Sequence, residues 1–167
     1  MENCNNTSFN EIKQKIEALR AIEKSRGSEV PFSVQMESDL YAFSPEDKTI
    51  TISFPVLEKE LNPNGAMIGG IICTAIDIAY GMLVFSLCGG EIIPPTITMT
   101  TNFINPIFKD DTLLVTAKIE SWGKRIINMT ATGISKNTGK TIITSTSSFV
   151  SNESFKIITT PKRRGLH

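Results

Sequence analysis

One carboxylate stands in the most apolar stretch of this chain. Residues 66–88 read A-M-I-G-G-I-I-C-T-A-I-D-I-A-Y-G-M-L-V-F-S-L-C, and Asp77 is the only charge among them. Taking an unpaired charge out of water is costly, so the fold must satisfy Asp77 or use it. The run is long enough to span a bilayer. Asp77 near its centre would then cost about 2.5–3.5 kcal/mol on insertion. Three glycines also interrupt the run, and no basic cluster flanks it. The expectation is a helix buried on all sides within a soluble fold.

The rest of the composition narrows the function classes. A chain of 167 residues suits one domain with a real core. Seventeen basic residues balance seventeen acidic ones. Zero net charge supplies no overall field for nucleic acid or an anionic membrane, so neither is an expected partner. The basic tail Lys162, Arg163 and Arg164 reads as a solvated end. Cys4, Cys73 and Cys88 form neither a metal-ligand spacing nor an even disulfide set. They read as reduced thiols of a cytoplasmic protein. The start M-E-N-C-N-N-T-S lacks the features of a signal peptide. His167 is the sole histidine, which leaves no expected metal site and excludes most histidine-based catalysis.

Periodicity sets the expected elements. Residues 8–26 read as an amphipathic helix. Ser8 and Glu11 form a capping box, Phe9, Ile12, Ile16 and Leu19 an apolar stripe, and Gly27 a stop. That helix and its linker, residues 1–38, are expected to pack on a main domain of residues 39–152, followed by a tail of residues 153–167. Within the main domain, strands are expected near residues 40–44, from Lys48, over T-I-T-M-T-T-N-F, and over about residues 112–122, 125–136 and 141–151. The turn K-N-T-G-K joins the last two. Long antiparallel strands and one apolar helix imply an α+β fold, a curved sheet wrapped around that helix.

On a helical wheel Gly70, Thr74, Asp77 and Gly81 share one face. A structural role for Asp77, satisfied by Thr74 or backbone groups, is one reading; chemistry is the other. Gly69 and Gly70 begin the helix, where free N–H groups and the dipole's positive end favour an approaching oxygen. That is how an oxyanion hole is built. Asn62, in N-P-N-G, adds an amide that donates and accepts. Taken singly, Asn62 reads as a turn former and the glycines as a tight helix entry. The combination of amide, helix tip and desolvated carboxylate suits hydrolysis of an acyl compound.

N-P-N-G-A-M-I-G-G-I-I-C-T-A-I-D-I-A-Y-G resembles the signature of hotdog-fold acyl-CoA thioesterases of the phenylacetate-pathway, PaaI-like type. The family pattern is roughly N-P-x-G-x-x-H-G-G, six residues, then Asp or Glu. P-T-I-T-M-T-T-N-F-I-N-P-I-F-K-D-D-T-L-L-V-T-A-K-I and W-G-K-R continue the resemblance, which covers about residues 40–151. It implies hydrolysis of an acyl-CoA thioester to free acid and CoA, with no separate cofactor. Asp77 would be general base or nucleophile, and the Gly69 N–H would polarise the thioester carbonyl. Asn62 would position water or carbonyl, and Thr96 would help hold the water. Gly70, Ile68 and Thr74 would lie along the substrate, with Lys124 and Arg125 at the CoA phosphates. The site would form across a homodimer, itself able to pair into a homotetramer.

One departure stands out. Ile68 occupies the position of the family's usual histidine, and isoleucine cannot donate a hydrogen bond. The alternative is therefore a non-catalytic acyl-CoA-binding protein, a sensor or scaffold. Hydratase chemistry on this fold normally needs a histidine, which the motif lacks. Phe85, Met82 and Phe103 read either as the lining of an acyl pocket or, more commonly for such residues, as core; the acyl group itself is not legible.

Overall fold

Threonine, serine and isoleucine alternate from residue 49, and the strand they form is buried at every second position. The computed structural model describes residues 8–25 and 30–151. The elements in chain order are α1 (Phe9–Ser25), α2 (Phe32–Gln35), β1 (Asp39–Ser44), β2 (Thr49–Pro55), a 3₁₀ turn (Glu58–Glu60), α3 (Gly69–Leu87), β3 (Thr96–Phe103), β4 (Thr112–Trp122), β5 (Ile126–Ser135) and β6 (Thr141–Val150). The strands form one antiparallel six-stranded sheet in the order β1-β2-β4-β5-β6-β3. Register shifts at Leu40/Ala42, Thr96/Thr98, Ile119/Ser121 and Gly133/Ile134 give long strands places to bend. This is the α+β hotdog arrangement that the sequence leads one to expect.

Helix α3 lies across β2, β3, β4 and β5. Ile72, Ala75, Ile76, Ala79, Tyr80, Leu83 and Val84 turn towards the sheet and are buried. Gly89 and Gly90 end the helix with φ of 65° and 84°, a conformation glycine adopts without strain. The expectation of a helix buried on all sides needs correction. Gly70 is exposed, and Cys73, Thr74, Asp77, Ile78 and Met82 are only half-buried. Because nearly every residue of α3 is apolar, hydropathy does not mark which side faces the sheet. By length and apolar composition α3 could cross a membrane, yet 61% of that stretch is buried within this fold.

Helix α1 packs through Ile12, Ile16 and Leu19, all buried, each contributing about 1.5–3 kcal/mol. Phe9, the fourth residue of the expected stripe, is instead exposed. The Ser8–Glu11 capping box forms, with the Ser8 N–H donating to Glu11 at 2.8 Å and the Glu11 N–H to Ser8 Oγ at 3.4 Å. Lys15 Nζ donates to the Gly89 carbonyl at 2.7 Å, tying α1 to the end of α3. Gly27, Cys4 and the basic tail lie outside the described residues.

Glu60 is the one buried carboxylate in the loop that leads to α3. It is 2% exposed; Oε2 accepts the Leu57 N–H at 3.2 Å, and Oε1 has no partner. Burial pushes its pKa above the ordinary 4.5, with the Leu57 N–H and Lys59 opposing and Glu37 adding to the rise. A carboxyl with a raised folded pKa stabilises the fold below the unfolded value. That contribution is lost as pH rises through the folded pKa. Glu60→Gln is therefore expected to flatten the fall in melting temperature as pH climbs from 4.5 towards neutrality. Parallel melts that keep the wild-type slope would contradict the assignment.

Candidate active site

The loop between β2 and α3 is shaped by Asn62. Its Oδ1 accepts the Asn64 N–H at 2.9 Å and the Ala66 N–H at 3.2 Å. Its backbone N–H donates to the Ala66 carbonyl at 2.8 Å, and its carbonyl accepts from Gly65 at 2.9 Å. Gly65 takes φ of 76°, which completes the turn. Leu61 bridges Met67, and the Ile68 N–H donates to the Glu60 carbonyl at 2.9 Å. The turn-forming role of Asn62 is thus real. Its Nδ2 has no partner among the described residues and remains a spare donor.

That loop delivers Ile68 as the N-cap of α3, with no side-chain cap, and Gly69 as the first helical residue. The Ile68 carbonyl accepts from Ile71 at 2.9 Å and Ile72 at 3.1 Å. The Gly69 and Gly70 amides are those a helix start leaves without an intrahelical acceptor. A β-carbon on Gly70 would meet nothing within 4 Å, whereas one on Gly69 would lie 3.2 Å from Phe103 Cζ. Within one chain, then, Gly70 leaves open space. Ile68 is 41% exposed, so an apolar side chain stands beside the free amides.

Helix α3 runs antiparallel to β3, and the two elements meet three times. Gly69 approaches Phe103, Cys73 Sγ lies 3.7 Å from Thr101 Oγ1, and Thr96 Oγ1 donates to Asp77 Oδ1 at 2.7 Å. Thr96 therefore sits on the carboxylate itself. Asp77 Oδ2 has no partner among the described residues. Thr74 does not satisfy Asp77, because its hydroxyl donates back to the Gly70 carbonyl at 2.9 Å.

Asp77 is half-buried and opens on a cleft of ≈ 320 Å³. Asp77, Ile78, Gly81 and Met82 of α3 line it, with residues 93–96 and Phe149 beside them. Of the three residues read as pocket or core, only Met82 lines the cleft. Phe85 is buried in the core, and Phe103 stands 54% exposed at the helix tip. Tyr80, one turn after Asp77, faces the sheet and packs edge-on against Phe149 at 5.8 Å. Burial pushes its phenol up to about 12, so it stays protonated.

The far wall is unexpected. It comes from Ile16, Leu19, Arg20 and Glu23 of α1, with Ser33 and Ser38. The signal was present in the sequence, since Arg20 and Glu23 continue the stripe of Ile12 and Ile16 at helical spacing.

Lys124 and Arg125 form the exposed turn between β4 and β5. The Arg125 carbonyl accepts from Ser151 at 2.8 Å, and the Pro95 carbonyl from Val150 at 3.1 Å. The end of β6 thus joins the basic turn to Pro95 and the Thr96 end of β3. Asn62 and Gly69 lie at the opposite end of α3. Asp77 is eight positions along the helix from Gly69, about 12 Å of rise. The structure therefore brings the chain's expected site residues together in two groups, not one.

Residues 64–142 match the model of the thioesterase superfamily. No curated protein matches the chain in sequence. Among solved structures, zebrafish thioesterase superfamily member 2 is 20% identical, with a TM-score of 0.72 over 88% of this chain and 100% of that one. The Escherichia coli PaaI protein of the phenylacetic acid degradation operon is 16% identical, with a TM-score of 0.67 over 84% and 93%. A Streptococcus mutans protein solved with acetyl-CoA is 23% identical, with a TM-score of 0.60 over 68% and 87%. The matched segment, just under half of the chain, holds the Gly69 tip, Asp77 and Thr96, and the architecture shared with these structures is the hotdog fold.

Proposed function

We propose that this protein hydrolyses an acyl-CoA thioester to the free acid and CoA. The observation that carries the reading is Asp77, opening on the cleft with one oxygen held by Thr96 and the other unengaged. Asp77 Oδ2 takes a proton from water while the water oxygen attacks the thioester carbon. Asp77 could equally attack directly as nucleophile, water then releasing the acid. The carbonyl oxygen becomes an oxyanion held by the Gly69 N–H, with Asn62 Nδ2 orienting it or the water. The C–S bond then breaks, and the CoA sulfur leaves with the proton from Asp77. Water suffices as co-reactant, and no cofactor is invoked.

The spacing along α3 favours a second chain for this. A base and an oxyanion donor must meet reacting atoms about 3–3.5 Å away, whereas Gly69 and Asp77 of one helix are about 12 Å apart. Each site therefore takes Asp77 and Thr96 from one subunit and Gly69 and Asn62 from its partner. The edge strand β3, bearing exposed Ile97 and Phe103, is the natural seat for the second copy. Lys124 and Arg125 face the CoA phosphates at the Thr96 end. Support for CoA as the carrier comes from the acetyl-CoA bound to the Streptococcus mutans neighbour.

Ile68 supports a second reading, binding without turnover, because the side chain beside the oxyanion donor has no hydrogen-bond donor. A thiol-release assay over short, medium, long and aryl acyl-CoAs decides between them. Saturable release of CoA is expected. Thermal stabilisation by acyl-CoA without thiol release would establish the second reading instead.

A further inference from the structure

The cleft beside Asp77 has two chemically different walls. On the α3 side stand Asp77 and Thr96, followed by apolar Ile78 and Met82. On the α1 side, beyond Ile16 and Leu19, stand Arg20, Glu23, Ser33 and Ser38. At ≈ 320 Å³ the cleft lies at the small end of ligand pockets, which run about 300–1,000 Å³, and so suits an acyl group rather than a whole CoA ester.

An alkyl chain would have no use for the α1 wall. A guanidinium has five N–H donors, and the Arg20 side chain places one on Ser38 Oγ at 3.0 Å. No carboxylate lies within 4.0 Å of Arg20 among the described residues. Glu23, one turn further, accepts the Ser33 hydroxyl through Oε2 at 3.2 Å. Ser38 is buried, and Arg20, Glu23 and Ser33 are half-buried. Half-buried charges facing an apolar chain end would lose water without gaining a partner.

We propose that the acyl group this protein selects carries an oxygen at its distal end, which accepts a hydrogen bond from Arg20. This deepens the acyl-CoA reading and rests on it. Arg20 is then a specificity-determining residue, and α1 is part of the acyl site. A distal hydroxyl would accept from Arg20 and donate to Glu23. A distal carboxylate would pair with the guanidinium by charge.

The test uses the full chain and three acyl-CoAs of equal length, ending in methyl, hydroxyl or carboxylate. Their thermal shifts are read on Asp77→Asn, which needs no turnover, and kcat/KM is read on the otherwise wild-type protein. One oxygen-ended ester is expected to lead the methyl-ended one by roughly tenfold or more, the scale of a hydrogen bond to a charged group. Arg20→Met should bring that ratio near one, and Arg20→Lys should keep part of it. A hydroxyl lead identifies the pair of Arg20 and Glu23 as the reader, and a carboxylate lead identifies the charge of Arg20. Equal or better use of the methyl-ended ester, or a ratio unmoved in Arg20→Met, overturns the proposal. Ester preference in the thermal shifts without thiol release would sink the hydrolase reading and leave this one standing. Thiol release without preference would do the reverse.

Discussion

Replacing Asp77 with asparagine is expected to lower kcat/KM for an acyl-CoA by about 10²–10⁴-fold, the usual contribution of a positioned base. The substitution is nearly isosteric. The new side-chain carbonyl could still accept the Thr96 hydroxyl that now lies 2.7 Å from Asp77 Oδ1. What the variant loses is an oxygen able to take a proton or attack carbon. Melting temperature and oligomeric state should stay near wild type, because Asp77 forms no ion pair among the described residues. Activity within a few-fold of wild type would remove Asp77 from the mechanism.

Gly69→Pro is expected to have the next largest effect, a loss of about 10²–10³-fold in kcat, the scale of one oxyanion donor. Proline suits the first helical position, where its missing N–H has no helical acceptor to lose. Ile68, the residue before it, already has φ of −62° and ψ of 133°, a conformation proline tolerates in its predecessor. The new ring must displace Phe103, 3.2 Å from where a β-carbon would stand, a contact that Gly69→Ala shares. The change therefore deletes one donor with little damage to the helix. Gly69→Ala serves as the control, bringing the same steric contact while keeping the N–H. Equal losses in the two variants would assign the defect to Phe103 rather than to the amide.

Most of the sheet was legible because alternation reports a half-buried strand directly. The strands expected near 112–122, 125–136 and 141–151 appear as β4, β5 and β6, shifted by a residue or so at some ends. Helix α2 and the 3₁₀ turn were not legible, since three or four residues carry no helical period. The site was legible in part. Helical spacing puts Asp77 and Thr74 on one face, and both are half-buried there. It does not show that Thr74 bonds back to Gly70, or that Thr96, nineteen residues on, reaches Asp77. Those contacts depend on how α3 lies along β3, a tertiary fact with no local pattern. The α1 wall of the cleft was missed because α1 was read for its apolar stripe alone. Arg20 and Glu23 extend that stripe with charge, and such a break in pattern marks a helix face meeting something other than core.

The composite site can be tested by mixing two dead chains. Co-expressed Asp77→Asn and Gly69→Pro subunits should form mixed dimers in which one site carries both defects and the other carries neither. Random pairing makes half the dimers mixed, so the pool should recover about a quarter of wild-type thiol release. If the pool stays as inactive as either variant while mass measurement shows mixed dimers, Asp77 and Gly69 act from the same chain or not at all, and the account fails.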